Sequence, residues 1–240
     1  MEKASAALKN LFFPRRCPYC GQVMGFAPGC ECAPRVEECR LFGPSALLDG
    51  EGRRLAFLDG GAACYAYAGP IRQGVRRLKF EGACGLAAVY GREMAALAAQ
   101  LEPGEPFDGV IPVPSTKKER RRRGYDVPLL LARALSGALA IPLWDDILIK
   151  EFETRRQHEL PLAARKANLL GAFSLRDTAA VQGRRVLLCD DVVTSGATLD
   201  ECAKMLRAAG AASVWAVVFA ATPRPGARKA GKGERRHGTE

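Results

Sequence analysis

The chain has 240 residues, of which 48% are hydrophobic, and a formal net charge of +10 at pH 7. Its length suits one enzyme-sized domain with a small additional module, and its hydrophobic content excludes a wholly disordered chain. The positive charge favours anionic partners such as phosphates, nucleic acids or an acidic membrane surface, without choosing among them.

Neither a secretion signal nor a membrane span is predicted. Residues 1–16 lack an apolar run ending at a small-residue cleavage site, and no run of about 18 apolar residues occurs in the sequence. We therefore expect a cytoplasmic protein with no membrane insertion.

The first 60 residues are rich in Cys, Gly, Pro and Arg and contain five of the nine cysteines. Because the cytoplasm keeps thiols reduced, clustered cysteines there indicate a metal site rather than disulfides. Cys17 and Cys20 have the spacing of a zinc knuckle, and two of Cys30, Cys32 and Cys39 would complete four thiolate ligands. We favour Cys30 and Cys32, with Cys39 as the alternative ligand. The expected ion is structural Zn²⁺, because four thiolates leave no open position for water.

Regular helices and strands are predicted mainly beyond residue 62. Apolar residues at three- and four-residue spacing predict an amphipathic helix over 85–101, which a strand over 109–113 follows. A second helix is expected from about Asp126 to Leu139, with Pro128 tolerated in its first turn. Residues 147–149 form a candidate short strand. The scattered cysteines are expected to be small core residues: Cys64, Cys84, Cys189 and Cys202.

The clearest predicted unit spans residues 185–220. It has an apolar strand VLLC, a polar loop, a helix closed by Gly210 and a second strand SVWAVVFA. The order strand, helix, strand implies a parallel sheet with a right-handed crossover. We expect an α/β domain over 61–222, preceded by the cysteine module at 1–60 and followed by a basic disordered tail at 223–240.

Two carboxylates and a small polar loop follow the VLLC strand, where ligands bind in parallel sheets. The carboxylates are Asp190 and Asp191, and the loop that comes next contains Thr194, Ser195, Gly196, Ala197 and Thr198. The loop N–H groups and hydroxyls can surround a phosphate at the N-terminus of the following helix. Adjacent carboxylates would repel a bare phosphate, so they need sugar hydroxyls or a divalent cation. The pattern therefore predicts a ribose 5-phosphate site rather than a plain strand end and helix cap.

Five segments, in order, resemble the ComF family. The stretch VLLCDDVVTSGAT resembles the motif of type I phosphoribosyltransferases that binds phosphoribosyl pyrophosphate (PRPP). The other four segments are the cysteine module, YAYAGPIRQGVRRLKF, FDGVIPVPSTKKERRRRGY and TRRQHELPLAARKANLLGAF. The resemblance covers residues 17–222. It implies a type I phosphoribosyltransferase fold with an N-terminal zinc module, binding of PRPP with Mg²⁺, and a link to natural competence and DNA uptake.

The resemblance also implies roles for individual residues. Asp190 and Asp191 would hold the ribose hydroxyls as the catalytic pair, and loop 194–198 would hold the 5-phosphate. Ser115 and Thr116 follow a strand end, where related enzymes place their pyrophosphate loop.

The basic segment Lys117–Arg123 contains six basic residues out of seven. Residues 121–125 match a family segment that would form a mobile basic loop over the pyrophosphate, with Arg123 as a ligand contact. The family usually continues with Asn-Gln, whereas this chain has Asp126 and Val127, so no substrate contact is assigned to those two positions. Three interpretations stay open for the segment: covering PRPP, binding single-stranded nucleic acid, and a solvated loop.

One further segment matches a ComF signature without an assigned role. Its substrate-region candidates are Thr154, Gln157, Arg165 and Asn168. His158 is expected at the surface. With His237 as the only other histidine and no GxSxG motif, the sequence does not support a Ser-His-Asp hydrolase.

Two functions agree with this pattern. The first is a Mg²⁺-dependent phosphoribosyltransferase that binds PRPP or another ribose 5-phosphate ligand and has an unidentified acceptor. The second is a noncatalytic protein of the competence machinery that binds a nucleotide in the same pocket and single-stranded DNA through its basic segment. Turnover of PRPP distinguishes them.

Overall fold

The structure, a computed structural model, describes residues 14–24, 27, 29–41, 55–101, 106–150 and 172–223. The helices in these residues are α1 (Ala33–Glu37), α2 (Gly69–Phe80), α3 (Leu86–Ala98), α4 (Lys117–Arg123), α5 (Val127–Leu139) and α6 (Ala197–Ala208). The strands are β1 (Gly60–Ala66), β2 (Gly109–Pro112), β3 (Leu148–Lys150), β4 (Phe173–Leu175), β5 (Arg185–Val193) and β6 (Ser213–Ala221). None of the described helices has the length and apolar character needed to cross a bilayer.

A parallel sheet with the strand order β1-β6-β5-β2 forms the centre of the fold. All three strand pairs in this sheet are parallel, and helix α6 connects β5 to its neighbour β6. Strands β5 and β6 are largely apolar, as expected of strands covered on both faces. The short strands β3 and β4 form a separate antiparallel pair. The parallel sheet and its flanking helices confirm the predicted α/β class.

Hydrophobic clusters cover both faces of the sheet. One cluster contains residues of α2, α3 and α5 and the aromatic rings of Tyr65, Tyr90 and Phe219. The rings of Tyr90 and Phe219 stack with their centroids 3.9 Å apart. The other cluster contains residues of α6, β3 and β4, including Leu199 and Leu206. Because β2 and β5 are parallel neighbours, the loops that follow them lie at the same edge of the sheet.

The cysteine module packs directly on helices α2 and α3. The Tyr90 hydroxyl donates a hydrogen bond to the Pro18 carbonyl at 2.7 Å, and Arg77 donates to the Cys17 carbonyl at 3.0 Å. A Cβ at Gly74 would lie 3.0 Å from the Pro18 oxygen and 2.2 Å from the Tyr90 hydroxyl, so only glycine permits this approach of α2. The module therefore shares the core of the larger domain.

The basic segment Lys117–Arg123 is a helix in the structure, whereas the family resemblance implied a mobile basic loop over residues 121–125. Helix α4 spans Lys117–Arg123, and a capping box at its start joins the side chain and N–H of Thr116 to those of Glu119. At the other end, Gly124 adopts the left-handed conformation with φ +80. These two caps satisfy the helix termini, so they stabilise a short helix despite its like charges.

Several other elements differ from the sequence predictions. Strand β5 continues to Val193, so Asp190 and Asp191 lie within the strand rather than in the loop after it. Strand β1 and helix α2 were not predicted. Cys64, Cys189 and Cys202 are buried core residues as expected, whereas Cys84 is only partly buried.

Candidate functional site

Asp190 and Asp191 lie near the carboxyl end of β5 and make different contacts. Asp191 is 6% exposed, and its Oδ1 lies 2.7 Å from Nζ of Lys79 on α2. Asp190 lines a small cavity, and its Oδ1 accepts a hydrogen bond from the Asp191 N–H at 2.8 Å. Each carboxylate therefore has a separate set of neighbours.

Burial and neighbouring charges shift the pKa values of Asp190 and of Lys79. Burial and the adjacent Asp191 raise the pKa of Asp190 to about 8, and Lys79 opposes the increase. Burial disfavours the charged form of Lys79, but the carboxylates of Asp191 and Asp190 outweigh it, so the pKa of Lys79 lies above its ordinary value. At neutral pH Asp190 is thus mainly protonated, and a cation or hydroxyl donor at the site would favour its ionised form.

Loop 194–198 joins β5 to α6 and forms a wall of the cavity next to Asp190. The cavity, of about 90 Å³, is lined by Asp190, Val192, Val193, Thr194, Ser195, Gly196, Thr198 and Leu199. Gly196 has φ +81, a conformation that favours glycine, and a Cβ there would lie 2.5 Å from Cδ2 of Leu55, so that side chain would have to move. Ala197 is the first residue of α6, and its N–H donates to the Ser195 hydroxyl at 3.4 Å. The loop, the helix N-terminus and Asp190 together can surround an anion joined to a hydroxyl-bearing group.

The loop after β2 is held by its own hydrogen bonds. The Ser115 hydroxyl donates to Oδ1 of Asp126 at 2.9 Å. Thr116 is 9% exposed, and its hydroxyl takes part in the capping box with Glu119. The side chains of Ser115 and Thr116 are thus used in fixing the loop and do not line the cavity beside Asp190. Asp126, where the family usually has Asn, has a structural contact in this chain.

Arg123, at the end of α4, lies largely inside the protein. Its side chain is 9% exposed, and its nearest carboxylate oxygen belongs to Glu119 at 3.5 Å. Its Nε is buried and has no hydrogen-bond partner among the described residues. The guanidinium also lies 5.6 Å from the centre of the exposed Phe80 ring.

Lys79 and Lys150 lie beside the acidic pair, although neither was predicted as a site residue. Lys79 pairs with Asp191, and Lys150 on β3 is near enough to Asp190 to lower its pKa in opposition to burial. Lys79 lies in the family-like segment YAYAGPIRQGVRRLKF, but it follows two arginines on an amphipathic helix and carries no individual signal. Contacts between α2, β3 and β5 are long-range, so local sequence patterns do not reveal them.

The four cysteines that the sequence analysis favours as zinc ligands form one cluster. Within the described residues, the sulfur atoms of Cys17, Cys20, Cys30 and Cys32 all lie within 4.8 Å of one another. The Cys17–Cys32 and Cys20–Cys30 sulfur distances are 3.5 Å and 3.4 Å, close to the roughly 3.8 Å of a tetrahedral ion with Zn–S bonds of about 2.3 Å. The Cys32 N–H lowers the pKa of the Cys30 thiol to about 7, whereas burial raises the pKa of the Cys20 and Cys32 thiols.

The alternative ligand Cys39 does not join this cluster. Its sulfur instead lies 3.8 Å from the Ala68 carbonyl oxygen, outside the group of four. The four-thiolate set can hold one tetrahedral ion, and the arrangement fits a structural rather than a catalytic site because every ligand position is a cysteine.

Some predicted residues fall outside the described part of the chain. These are Thr154, Gln157, His158, Arg165, Asn168 and His237, together with residues 224–240 of the basic tail.

Comparison with known proteins gives one family model and several relatives. The model described as "Phosphoribosyl transferase domain" matches residues 129–237. The chain is 34% identical over 151 residues to "DNA utilization protein YhgH" of Escherichia coli K12, an alignment covering 62% of this chain and 66% of that protein. It is 40% identical over 104 residues to "Competence protein F" of Haemophilus influenzae, covering 43% of this chain and 45% of that protein. With "Competence protein ComFC" of Bacillus subtilis it shares 23% identity over 199 residues, or 82% of this chain and 73% of that protein.

Among solved structures, the chain is similar to glutamine PRPP amidotransferase from B. subtilis complexed with ADP and GMP. The TM-score is 0.37 with 26% sequence identity, and the match covers 55% of this chain and 25% of that chain. In the sequence comparison, the alignment with the YhgH protein of E. coli spans just under two thirds of that protein's length.

Proposed function

The chain belongs to the ComF family, and from this premise we propose that it binds PRPP with Mg²⁺ and transfers the phosphoribosyl group to an acceptor. The observation that carries the proposal is the cavity that Asp190 shares with loop 194–198. In this assignment the loop binds the 5-phosphate, and Asp190 and Asp191 accept hydrogen bonds from the ribose hydroxyls. The competence and DNA utilization names of the relatives support a role in DNA handling, which we place in the cytoplasm.

The proposed reaction needs little covalent chemistry from the protein. A nucleophilic atom of the acceptor bonds to ribose C1 while the bond from C1 to the pyrophosphate oxygen breaks, and pyrophosphate leaves with the electron pair. Bound Mg²⁺ supplies neutralisation of the pyrophosphate charge. Asp190, Asp191 and loop 194–198 contribute by fixing the ribose and its 5-phosphate, so that C1 is oriented toward the acceptor.

The cysteine cluster completes the proposal as a structural Zn²⁺ site. Cys17, Cys20, Cys30 and Cys32 would hold the ion, and the knuckle packs against α2 through the contacts of Pro18 and Cys17. Because α2 also carries Lys79 to Asp191, the module packs against the helix that pairs with one carboxylate of the acidic pair.

The test of the enzyme is release of pyrophosphate from PRPP in the presence of Mg²⁺ and a panel of nucleobases and amines. The native protein should release pyrophosphate with at least one acceptor, and Asp190→Asn combined with Asp191→Asn should abolish the release. A matched control is Asp145→Asn combined with Asp146→Asn, which changes the same number of carboxylates at exposed positions. Full turnover in the Asp190/Asp191 double variant would overturn the assignment of the acidic pair.

A second function, binding of single-stranded DNA, is favoured by the basic helix α4. Lys117, Lys118 and residues 120–122 are exposed, so five positive charges face solvent on two turns of helix. If α4 binds single-stranded DNA, the logarithm of the association constant should fall linearly with the logarithm of salt concentration, by about 0.7 per phosphate contacted. Replacing Arg120, Arg121 and Arg122 by Ala should weaken binding and reduce this slope. If the affinity for a labelled oligonucleotide depends neither on salt nor on these substitutions, α4 is not the DNA site.

A further inference from the structure

The aromatic ring of Phe80 is exposed at the end of helix α2. Phe80 is the last residue of this helix, and it is 59% exposed, more than any other large hydrophobic residue in the described part of the chain. A single exposed hydrophobic side chain is ordinary at a protein surface. What the ring can bind therefore depends on the groups that surround it.

Two arginines of helix α4 lie beside the Phe80 ring. The central guanidinium carbons of Arg122 and Arg123 are each 5.6 Å from the ring centre, within the range of cation–π attraction. Despite these neighbours most of Phe80 stays open to solvent, and Arg122 is exposed as well. An open aromatic ring next to guanidinium groups suits a ligand that joins flat, aromatic groups to anionic ones, as a nucleic acid does.

A hydrogen bond holds the ring and the basic helix in place relative to each other. The Tyr125 hydroxyl donates to the Leu78 carbonyl at 2.6 Å. Tyr125 follows α4 by two residues, and Leu78 precedes Phe80 by two, so this contact fastens the end of one helix to the end of the other. A surface that is already arranged loses little conformational freedom when it binds a ligand.

The exposed charges of α4 and the Phe80 ring would contribute differently to DNA binding. The charges attract phosphates of any DNA, whether it is single-stranded or duplex. The ring can stack only on a base whose face is free, which a single strand offers. In a duplex the bases are paired and stacked on one another, and one of them would first have to leave the stack. The ring would therefore add a preference for single strands that charge alone does not give.

We propose that Phe80 stacks on a base of single-stranded DNA whose phosphates bind α4, and that this ring makes the surface prefer single strands over duplex. The inference rests on the DNA binding proposed above as the second function. It extends that surface from α4 to the end of α2 and adds Phe80 as its specificity residue. The phosphates contribute attraction, and the stacked base contributes discrimination.

The test measures binding of the full chain to three labelled probes by fluorescence anisotropy. The probes are a single-stranded DNA oligonucleotide, the same strand in a duplex, and a strand of equal length made of abasic sugars, which keeps the phosphates without the bases. Phe80→Leu, which removes the ring but keeps an apolar side chain, should weaken binding of the first probe by about 5- to 100-fold, as expected for the loss of one stacked base. Its affinity for the duplex and the abasic strand should not change.

Two further variants serve as controls for this result. Phe80→Trp keeps an aromatic face and should retain the preference for the single strand. Phe57→Leu removes another exposed ring, which lies beside α6 rather than α4, and should leave the affinities for all three probes unchanged.

The abasic strand and the salt dependence separate stacking from a structural role of Phe80. Because Phe80→Leu removes no charge, the dependence of its affinity on salt concentration should match that of the native protein. Native affinity of Phe80→Leu for the single strand, or equal weakening for the single and abasic strands, would overturn the inference. Should Phe80→Leu fail to fold in a thermal melt, the native protein decides, and equal affinity for the single and abasic strands overturns the inference. Native protein that binds none of the probes would refute the DNA binding itself, whereas equal binding of all three would refute only the role of Phe80.

Discussion

Replacing Asp190 by Asn should remove a pH dependence from the stability of the ligand-free protein. The pKa of Asp190 is about 8 in the folded protein, against 3.8 for an ordinary Asp carboxyl, and the first cause is burial. Between these two values the unfolded chain has lost the proton while the folded protein keeps it. The folded state therefore binds more protons, and its stability falls as the pH rises from about 4 to about 8. Above pH 8 the Asp190 carboxyl ionises in the folded protein as well, so the stability no longer falls with pH through this group.

The size of this effect follows from the pKa difference. One pKa unit corresponds to about 1.4 kcal/mol, so raising the pH from about 5 to 8 should cost the folded protein about 3 kcal/mol through Asp190. Asn cannot ionise, so Asp190→Asn should lack this contribution and gain stability relative to the native protein as the pH rises.

The assay is urea denaturation of the native protein and of Asp190→Asn at pH 5, 6, 7 and 8. The difference in unfolding free energy between the two proteins should change by about 3 kcal/mol across this range. Asp146→Asn serves as the control, because that carboxylate is 66% exposed, and its profile should run parallel to that of the native protein. A parallel profile for Asp190→Asn as well would refute the conclusion that burial keeps Asp190 protonated.

The acidic pair, the phosphate loop, the α4 cap and the cysteine cluster can each be tested separately. PRPP affinity in Mg²⁺ should rise between pH 6 and pH 8, because the ionised form of Asp190 is the one that binds; calorimetry showing an affinity that falls over this range would contradict this. Gly196→Ala should destabilise the protein by roughly 1–2 kcal/mol in urea denaturation and weaken PRPP binding, because of the positive φ and the Leu55 side chain; unchanged values would show that the loop tolerates a side chain. Thr116→Ala should cost about 1 kcal/mol by loss of the α4 cap, and an unaltered denaturation midpoint would count against that cap. Protein purified without chelator should contain Zn²⁺, and chelation should lower its melting temperature because structural zinc contributes on the order of 10 kcal/mol to ordering such modules; metal analysis without zinc would remove the ligand assignment.

The sequence predicted the parts of the site that are close together along the chain. Asp190, Asp191 and loop 194–198 occupy one strand–loop–helix unit, and the local order of residue types is enough to place them at the edge of a parallel sheet. The four favoured cysteines lie in one cluster, and Cys30 and Cys32 were favoured over Cys39 because they form a second short pair. In both cases the residues that were predicted together lie within a few positions of one another along the chain.

The sequence did not predict the contacts that cross the fold. Lys79 reaches Asp191 from an element more than a hundred positions earlier, and a lysine in a basic amphipathic helix looks like a surface residue. Strand β1 was missed because GGAACYA has weak β propensity; its Gly60 packs under Trp215, where a Cβ would come within 2.1 Å of the ring.

Helix α4 was missed for a different reason. Six basic residues in seven indicate a solvated loop when charge alone is considered, yet the threonine-to-glutamate spacing of a capping box was present in the sequence. The caps at its two ends, rather than the residues between them, determine that this segment is helical.

Calorimetric titration of PRPP with Mg²⁺ into the native protein and into the Asp190→Asn, Asp191→Asn double variant tests directly whether the acidic pair and loop 194–198 bind a phosphoribosyl group. The native protein should bind PRPP saturably with one site per chain, and a double variant that still folds should not bind it. Absence of binding to the native protein, or equal binding to both proteins, would contradict the claim that the acidic pair and loop 194–198 form a phosphoribosyl site.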